Sequence, residues 1–459
     1  MTERFDAIVV GAGQAGPPLA GRLTEAGKTV AVVERKLVGG TCVNYGCIPT
    51  KTLVASAYAA HTARRGAEYG VGTGDIAIDM AKVKARKDKI MLDDRHGLES
   101  WLDGMTGCTL IRGHARFIGP KTLQIDGADL AVIEADRIFL NTGGRAVVPE
   151  IPGLADCDYL TNVGILELDT VPAHLVIVGG SYIALEFAQM YRRFGAEVTV
   201  VERGARLTSR EDEDISAAIK DILEAEGINV VLNAADMRFD RCDNGFELTL
   251  GAGAAPIAGS HLLMATGRRP NTDDLGLEVA GVECDERGYV KVDDQLRTSA
   301  DGIWAMGDCN GRGAFTHTSY NDFEIVAANL LDDDPRRVSD RVMTYALYID
   351  PPLGRAGMSV DQVRRSGRPA LVATRPMTRV GRAVEKGESQ GFMKVVVDAE
   401  TEQILGAAVL GVGGDEVIHS ILDIMTAKLP YTAISRTMHI HPTVSELVPT
   451  LLQDLQPLS

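Results

Sequence analysis

The chain has 459 residues, too many for a single hydrophobic core, and this length predicts about three domains. Its 47 basic and 63 acidic residues give a formal net charge of −16, which argues against nucleic acid as a partner. No apolar run approaches the ~18 residues of a membrane-spanning helix, and no secretory leader pattern opens the chain. We therefore expect a cytoplasmic protein whose partners are neither membranes nor nucleic acids.

Residues 5–34 predict a strand, a glycine turn, a helix and a second strand. The turn has Gly11 for a tight bend, Gly13 for close approach of the backbone to a pyrophosphate, and Gly16 for helix–strand packing. Glu34 ends the second strand, where an acid can accept hydrogen bonds from a ribose. Because the glycines occur in this strand–turn–helix context, they predict a dinucleotide site.

Two cysteines, Cys42 and Cys47, lie close together in the stretch 39–51. A redox disulfide needs Cα atoms within roughly 4.4–6.8 Å, whereas positions five apart in a regular helix are separated by roughly 7.5 Å along its axis. We therefore expect the segment to bend before any helix begins, with Gly46 permitting the bend and Pro49 in the first turn of the next helix. Cys47 would then lie at a helix N-terminus, which favours a thiolate.

The alternative interpretation of this stretch is two unrelated buried thiols, because free cysteines are commonly buried. The chain has seven cysteines, and the other five are widely scattered, which is unlike an extracellular disulfide framework. In the cytoplasm a close pair of cysteines is more often catalytic than structural.

Helices are predicted from Lys51 to about Arg65 and over about 80–102, and prolines and glycine mark a boundary near residue 150.

The strand–turn–helix pattern then repeats. A strand from residue 174 ends at Gly179, and the next strand ends with an acid at Glu202. Ser181 occupies the second position of the glycine fingerprint and Ala184 the third, where a methyl group is tolerated. The unit closes at Gly267. Two dinucleotide folds imply two dinucleotides, of which one can be a permanent flavin and the other a diffusible nicotinamide.

The choice of nicotinamide depends on Glu202. An acid at this position favours the free 2′-hydroxyl of NAD and repels a 2′-phosphate, so we favour NADH. Arg203 and Arg206 follow closely and leave NADPH as the alternative.

Asp308 ends a strand-like segment farther along the chain, where it can bind a ribityl or ribose hydroxyl. After residue 335 the pattern changes to an α+β module with predicted strands at 344–349, 370–374, 393–397 and 407–410 and helices at about 415–427 and 445–453.

Together these stretches resemble the pyridine nucleotide-disulfide oxidoreductases, the family of dihydrolipoamide dehydrogenase, glutathione reductase and mercuric reductase. The resemblance covers essentially the whole chain and is carried by GGTCVNYGCIPTK at 39–51, the two nucleotide folds, AMGD at 305–308 and HIHPTVSE at 439–446. Within the family the chain is most similar to the mercuric-reductase-like flavoproteins, including the type linked to reactive-chlorine resistance, through residues 351–358.

The resemblance implies an α/β fold with two Rossmann-like domains and a C-terminal α+β dimerisation domain. The FAD domain would comprise 1–150 and 269–338, the NAD(P) domain 151–268 and the dimerisation domain 339–459. The residues implied to bind FAD are Gly11, Gly13, Gly16, Glu34, Gly40, Thr41, Lys51, Thr142, Gly143, Asp308, Thr316 and His317. Those implied to bind the nicotinamide nucleotide are Gly179, Tyr182, Ile183, Glu202 and Gly267, with Tyr182 as a gate over the nicotinamide pocket.

The resemblance also implies the catalytic roles. Hydride from NAD(P)H would reach FAD, and the electrons would pass to Cys47 facing the flavin and Cys42 facing the substrate. Lys51 would pair with Glu186 beside the flavin. The last residues of the site, His441 and Glu446, would form an acid–base dyad contributed across a head-to-tail homodimer.

The dyad also has support from its chemistry, because thiol–disulfide exchange needs a base and histidine titrates near neutrality. Glu446 can orient the imidazole of His441, whereas His439 is expected to be structural. The expected acceptor is a small-molecule disulfide or dithiol, or a soft metal ion, and no resident metal site is predicted. The final residues carry no cysteine pair, so mercury detoxification is not expected as the main role.

Three other functions remain open from the sequence. Dihydrolipoamide oxidation is the principal alternative acceptor chemistry. A flavin NAD(P)H oxidase is a second, although the cysteine pair argues against it. A non-catalytic scaffold flavoprotein is the third, and it predicts indifference to replacement of Cys42.

Overall fold

A seven-stranded sheet combines the N-terminal part of the chain with one strand from much later. In the computed structural model, which describes residues 2–127, 129, 131–251 and 255–458, Thr2–Val10 pairs in parallel with Val30–Glu34 and Val132–Leu140. Ile303–Ala305 pairs in parallel with the last of these strands, so the chain returns to this sheet after building a second one. The order across the sheet is Cys108–Arg112, Val30–Glu34, Thr2–Val10, Val132–Leu140, Thr122–Asp126 and His114–Gly119.

The second sheet has five parallel strands, and its central strands are almost entirely buried, as expected when helices cover both faces. Its order is Asn229–Val231, Glu197–Val201, His174–Val178, His261–Met264 and Tyr159–Leu160. Two smaller antiparallel sheets accompany it: Met237–Cys242, Gly245–Leu250 and Ile257–Gly259 form one, and Gly144–Ala146 with Arg268–Pro270 forms the other.

The third large sheet is antiparallel and lies in the C-terminal part of the chain. Its order is Thr344–Leu347, Leu353–Gly357, Ile404–Leu410, Phe392–Asp398, Ala370–Pro376 and Gln456–Pro457. The continuous helix predicted over 445–453 is wrong in detail. A 3-10 turn over Ser445–Leu447 leads into a one-turn helix, Val448–Leu451, because Pro449 has no backbone N–H to continue a longer helix.

Twelve α-helices surround these sheets in the described ranges. They are Gly16–Glu25, Gly40–Tyr45, Cys47–Arg64, Met80–Asp103, Tyr182–Phe194, Glu213–Ala225, Thr316–Leu331, Val360–Ser366, Gly381–Glu385, Gly414–Thr426, Thr432–Ser435 and Val448–Leu451. Short 3-10 turns occupy Arg65–Tyr69, Leu154–Asp156, Gly164–Glu167, Leu277–Ala280, Gly307–Asn310, Val338–Asp340, Met377–Arg379 and Ser445–Leu447. None of the helices in the described part of the chain is long and apolar enough to cross a membrane.

One helix contact positions the site. The helix Cys47–Arg64 packs against the helix Tyr182–Phe194, and Leu53 shares a buried hydrophobic cluster with Leu185 and Phe187. This packing fixes the first turn of each helix relative to the other. The fold is the mixed α/β architecture that the sequence predicts, and on these sheets we propose domain boundaries near 150, 268 and 338.

Candidate active site

The first glycine turn is closed around the end of the strand Val132–Leu140. Gly11 has φ of +106°, and a Cβ added there would lie 2.3 Å from the Asn141 carbonyl oxygen. The Gly16 amide donates to Asn141 Oδ1 at 3.1 Å. Glu34 is buried, and its Oε2 accepts from the Ala12 amide at 2.9 Å. Since a carboxylate has about four acceptor positions, Glu34 can hold the turn and still accept from a ribose.

The residues around this turn fit FAD. A Cβ on Gly40 would lie 2.9 Å from Gly13 Cα, so the backbone of both glycines is left bare for a close phosphate group. Burial raises the pKa of Asp308, whose nearest cationic atom is Arg268 Nε at 3.9 Å. A sugar hydroxyl would supply this carboxylate with the hydrogen bond that its buried position requires. Thr142 and Gly143 lie alongside, with their carbonyl oxygens accepting hydrogen bonds from Asn271; Thr41 Oγ1 accepts from Arg268 at 3.5 Å.

The cysteine stretch departs from the expected bend before any helix. Cys42 lies within a short helix, Gly40–Tyr45, and a second helix begins at Cys47. The break falls at Gly46, with φ of −140° and ψ of −117°. The helix axis therefore changes between the two thiols, so the spacing of a continuous helix does not apply. Pro49 lies in the first turn of the second helix, as the sequence predicts.

The two thiols have opposite electrostatic environments. All seven cysteines are described and none is in a disulfide. The hydrogen bond from Cys42 lowers the pKa of Cys47 to about 6, with further contributions from Thr316 and the charge of Lys51. Thr316 Oγ1 lies 3.0 Å from Cys47 Sγ. The same thiol–thiol bond, together with burial, raises the pKa of Cys42. At neutral pH the arrangement therefore holds a Cys47 thiolate beside a protonated Cys42.

Lys51 and Glu186 form an ion pair one helical turn from Cys47. Lys51 Nζ lies 2.5 Å from Glu186 Oε2, and the Glu186 side chain is 6% exposed. The Tyr348 amide donates to Glu186 Oε1 at 3.0 Å, and Lys51 Nζ lies 4.6 Å from the centre of the Tyr348 ring. The ion pair is thus held by its own short contact, by the Tyr348 amide and by the Tyr348 ring. We call Cys42, Cys47, Lys51, Glu186 and Thr316 the cysteine cluster.

The second glycine turn repeats the geometry of the first with fewer internal bonds. Gly179 has φ of +123°, and a Cβ added there would lie 2.3 Å from the Ala265 carbonyl oxygen. Glu202 Oε1 accepts from the Gly204 amide at 2.6 Å, and the other carboxylate oxygen lies against Gly180. Arg203 is exposed beside it. This arrangement leaves an acid open to a ribose, in keeping with a nucleotide that exchanges.

Four further residues predicted to bind a cofactor are Tyr182, Ile183 and Gly267 for the nicotinamide nucleotide and His317 for FAD. Tyr182 and Ile183 open the helix after the turn, and the Ile183 side chain is partly exposed. Gly267 has φ of +134°, and its carbonyl oxygen accepts from the Val147 amide at 2.9 Å. His317 Nε2 donates to the Thr344 carbonyl oxygen at 2.7 Å, and burial lowers the pKa of this histidine.

The acid–base dyad lies on an exposed loop. His441 Nδ1 is 2.9 Å from Glu446 Oε2 and 3.1 Å from Oε1, so the carboxylate can orient the ring. The His441 side chain is 81% exposed, whereas that of Glu446 is 17% exposed. No hydrogen bond within the described chain joins this dyad to the cysteine cluster.

Three residues of the site were missed by reasoning from sequence: Asn141, Gly180 and Tyr348. Asn141 lies in the Asn-Thr-Gly segment after a predicted strand, so its position at the strand end was an available signal. The other contacts depend on residues far apart in the chain. Among the residues that the structure describes, no group of three or more metal-ligating side chains is arranged around a common point.

Comparison with known proteins identifies the family. The model of the pyridine nucleotide-disulphide oxidoreductases matches residues 5–322, and the model of their dimerisation domain matches residues 343–452. The chain belongs to the pyridine nucleotide-disulphide oxidoreductase family. It is therefore an oxidoreductase that uses FAD and NAD(P)H and carries the dimerisation domain of the family.

Relatives within this family span several functions. The chain is 37% identical over 448 residues to the probable pyridine nucleotide-disulfide oxidoreductase RclA of Escherichia coli, covering 96% of this chain and 97% of RclA. It is 33% identical to a mercuric reductase of Staphylococcus aureus, covering 91% of this chain and 76% of that one. It is 31% identical to a dihydrolipoyl dehydrogenase of Chlamydia trachomatis, covering 97% and 96%.

Solved structures give the same family. The structure of the HOCl-induced flavoprotein disulfide reductase RclA from Escherichia coli matches with a TM-score of 0.89 at 36% identity, covering 98% of this chain and 99% of that chain. A Cu(II) complex of the same reductase matches equally well, with a TM-score of 0.89 and coverage of 97% and 99%.

Proposed function

We propose that this oxidoreductase uses NADH and passes electrons through Cys42 and Cys47 to a soft metal ion, with Cu(II) as the representative acceptor. The observation that carries the proposal is the position of Cys47 at the start of a helix, 3.0 Å from Thr316 Oγ1 and one turn from the Lys51–Glu186 ion pair. This setting lowers the pKa of Cys47 and raises that of Cys42. An inert structural pair would have no need for such opposed pKa values.

Each residue has a distinct role in this proposal. Bound FAD would supply the electron carrier between the nicotinamide and the dithiol. Lys51 provides a positive charge beside it, and Glu186 fixes the position of that charge. Cys47 faces the cofactor as a thiolate, and Cys42 meets the acceptor. Tyr182 covers the nicotinamide side and yields to the nicotinamide ring.

The acceptor step balances without a further reagent. Oxidation of the Cys47 thiolate and the Cys42 thiol to a disulfide releases two electrons and one proton. Two Cu(II) ions accept the electrons and become Cu(I), while His441 receives the proton of Cys42. Thiolates are soft ligands that favour copper, and the E. coli relative has been solved as a Cu(II) complex.

A second substrate class is favoured by the His441–Glu446 geometry: an organic disulfide as the electron acceptor or, in the reverse direction, a dithiol such as dihydrolipoamide as the electron donor. A histidine held by a carboxylate at 2.9 Å is suited to thiol–disulfide exchange. We also propose that the dyad acts across a homodimer, so that each site combines the cysteine cluster of one subunit with the dyad of the other. The reaction would take place in the cytoplasm.

Anaerobic stopped-flow kinetics tests these assignments in one series. The enzyme is reduced with NADH or NADPH and then mixed with Cu(II), Hg(II), lipoamide or glutathione disulfide. We expect faster reduction by NADH and reoxidation by Cu(II) within the turnover time. Reoxidation by lipoamide alone would replace the metal acceptor with the disulfide alternative. If none of the four acceptors reoxidises the enzyme but the later admission of oxygen does, a flavin oxidase is favoured.

A further inference from the structure

A fully buried carboxylate contacts two tyrosines beside the nicotinamide side of the site. Glu211 precedes the helix Glu213–Ala225, and its side chain is 0% exposed. Its Oε1 accepts hydrogen bonds from the hydroxyls of Tyr345 and Tyr182, the latter at 3.5 Å. Its Oε2 has no hydrogen-bond partner in the described part of the chain. One oxygen is therefore shared by two hydroxyls while the other is left without a donor.

The positively charged side chain nearest to Glu211 is too distant to form a close ion pair with it. Arg355 Nη1 lies 3.7 Å from Glu211 Oε2 and is shared with Asp212, whose Oδ2 is 3.5 Å away. Lys394 Nζ lies 3.6 Å from Asp212 and 2.5 Å from Asp214. Burial is the main cause that raises the pKa of Glu211, and Arg355 and Tyr345 oppose it. A buried acid with such distant partners is a poor source of stability, which points to a role in positioning.

An aromatic stack holds the same tyrosine from another side. Tyr345 stacks on Phe315 at 5.4 Å and 13°, and Phe315 stacks on His317 at 5.4 Å and 11°. The Tyr182 ring meets the edge of this stack, 5.4 Å from Tyr345 and 6.1 Å from Phe315. Thr316, between the two stacked residues in sequence, contacts Cys47. The stack therefore connects Tyr182 with the cysteine cluster.

We propose that Glu211 is a positioning residue for Tyr182, and that it sets how readily Tyr182 yields to the nicotinamide ring. This inference rests on the proposed function, in which Tyr182 covers the nicotinamide side. The 3.5 Å bond to Tyr182 is long, so an arriving ring can break it. The Tyr345 bond and Arg355 then keep the carboxylate in place, ready to receive the hydroxyl when the nucleotide leaves. Because Tyr345 and Arg355 belong to the C-terminal sheet, that sheet fixes the resting position of the gate.

The test compares Glu211→Gln with a matched control, Asp212→Asn. Asp212 is also buried and shares Arg355, but it makes no hydrogen bond to either tyrosine in the described structure. Anaerobic flavin reduction of the holoenzyme over a range of NADH concentrations separates the Kd for NADH from the limiting rate. Glu211→Gln weakens the hydrogen bond that keeps Tyr182 in its resting position. The Kd of this variant for NADH should therefore fall roughly two- to tenfold, with the limiting rate of flavin reduction unchanged. Asp212→Asn should leave both values unchanged. An unchanged Kd in Glu211→Gln, or an equal fall in the control, overturns the inference.

A double-mutant cycle with Tyr182→Phe shows whether Glu211 acts through the tyrosine hydroxyl. Tyr182→Phe should itself lower the Kd, and Glu211→Gln should add nothing in that background. If Glu211→Gln fails to fold, the Tyr182→Phe result alone decides, because an unchanged Kd overturns the inference. Tyr182→Ala separates the two proposals. If it leaves the Kd for NADH unchanged, the gate assignment itself fails, whereas an altered Kd with no effect of Glu211→Gln rejects only the role of Glu211.

Discussion

The cysteine cluster and the loop that carries His441 and Glu446 differ in how much of their surroundings the chain itself supplies. Cys47 lies at a helix N-terminus with Thr316 at 3.0 Å and Lys51 close by, and its pKa is lowered to about 6. His441 has one hydrogen-bonding partner, Glu446, in the described chain, and its side chain is 81% exposed. The cysteine cluster is therefore preorganised within one subunit, whereas the His441 ring is oriented by Glu446 but remains exposed.

An exposed dyad is what a site shared between two subunits requires, because the second subunit would cover it. Two apolar side chains precede His441 in the loop, and these residues, Met438 and Ile440, are 95% and 79% exposed. Large apolar side chains exposed together on a loop indicate an interaction surface. The loop also lies within residues 343–452, which match the dimerisation domain of the family. We therefore expect changes in the cluster to act within a subunit and changes in the loop to act across the dimer.

The largest expected effect is that of Cys42→Ser. The variant should keep FAD and its reduction by NADH, since Cys47, Lys51 and Glu186 are untouched. Reduction of Cu(II) should fall by on the order of 10⁴-fold or more, because the thiol that meets the acceptor is missing. Stopped-flow traces measure both steps in the same sample. Cys108→Ser is the control, since this half-buried cysteine lies outside the cluster. Undiminished Cu(II) reduction in Cys42→Ser would reject the proposed electron path.

His441→Ala should have the next largest effect. Loss of the base should slow oxidation of the dithiol by the acceptor by roughly 10²- to 10⁴-fold and leave flavin reduction by NADH unchanged. His439→Ala is the matched control, because His439 is in the same loop and, among the described residues, its ring bonds only the Thr437 carbonyl oxygen, at 3.2 Å. Equal slowing of both steps in His441→Ala would remove its role as a base.

Mixed dimers of Cys42→Ser and His441→Ala test the sharing directly. Each hybrid has one site with both changes and one site with neither if the halves come from different subunits. Mixing two nearly inactive proteins should then restore about half of the wild-type rate per hybrid dimer. A mixture that stays inactive although hybrid dimers form would place both halves in the same subunit.

Sequence reasoning was strongest where the signal is local. Each glycine turn is readable because strand, turn and helix follow within a short span, and Gly11 and Gly179 do have the positive φ that the turn requires. The prediction that the bend precedes any helix was wrong, because a short helix, Gly40–Tyr45, comes before it. The bend itself falls at Gly46, so the two thiols lie on helices with different axes. The resemblance named Lys51 and Glu186 as partners, which periodicity alone does not do.

What sequence reasoning missed are contacts between distant residues. Glu211 and Tyr345 are 134 positions apart, and their bond exists only because the C-terminal sheet packs against the second unit. In the sequence alone, the acidic run 211–214 is typical of the exposed first turn of a helix. The structure instead buries Glu211 completely, and burial cannot be read from residue type when the covering element comes from another domain.

The pH dependence of the cluster follows from the pKa of Cys47. Its pKa is depressed to about 6, so the thiolate is present above pH 6 and is lost as the pH falls through that value. The thiolate fraction then falls about tenfold for each further pH unit. The long-wavelength thiolate-to-flavin absorbance of the two-electron-reduced enzyme measures this fraction. A band that keeps its full intensity well below pH 6 would contradict this pKa, and loss of the band above pH 7 would reject the lowered value.

The smallest expected effect isolates one contact in the cluster. Thr316→Val keeps the shape of the side chain but removes the hydroxyl that lies 3.0 Å from Cys47 Sγ. Without this donor the thiolate is less stable, so the midpoint of the absorbance titration should rise by roughly half to one pH unit. Thr52→Val is the control, because the Thr52 hydroxyl donates to the Ile48 carbonyl oxygen at 2.8 Å and makes no hydrogen bond to either thiol among the described residues. If both variants shift the midpoint equally, the lowered pKa arises from Cys42, the helix N-terminus and Lys51 rather than from Thr316. If only Thr316→Val shifts it, the helix Thr316–Leu331 helps to set the charge on Cys47.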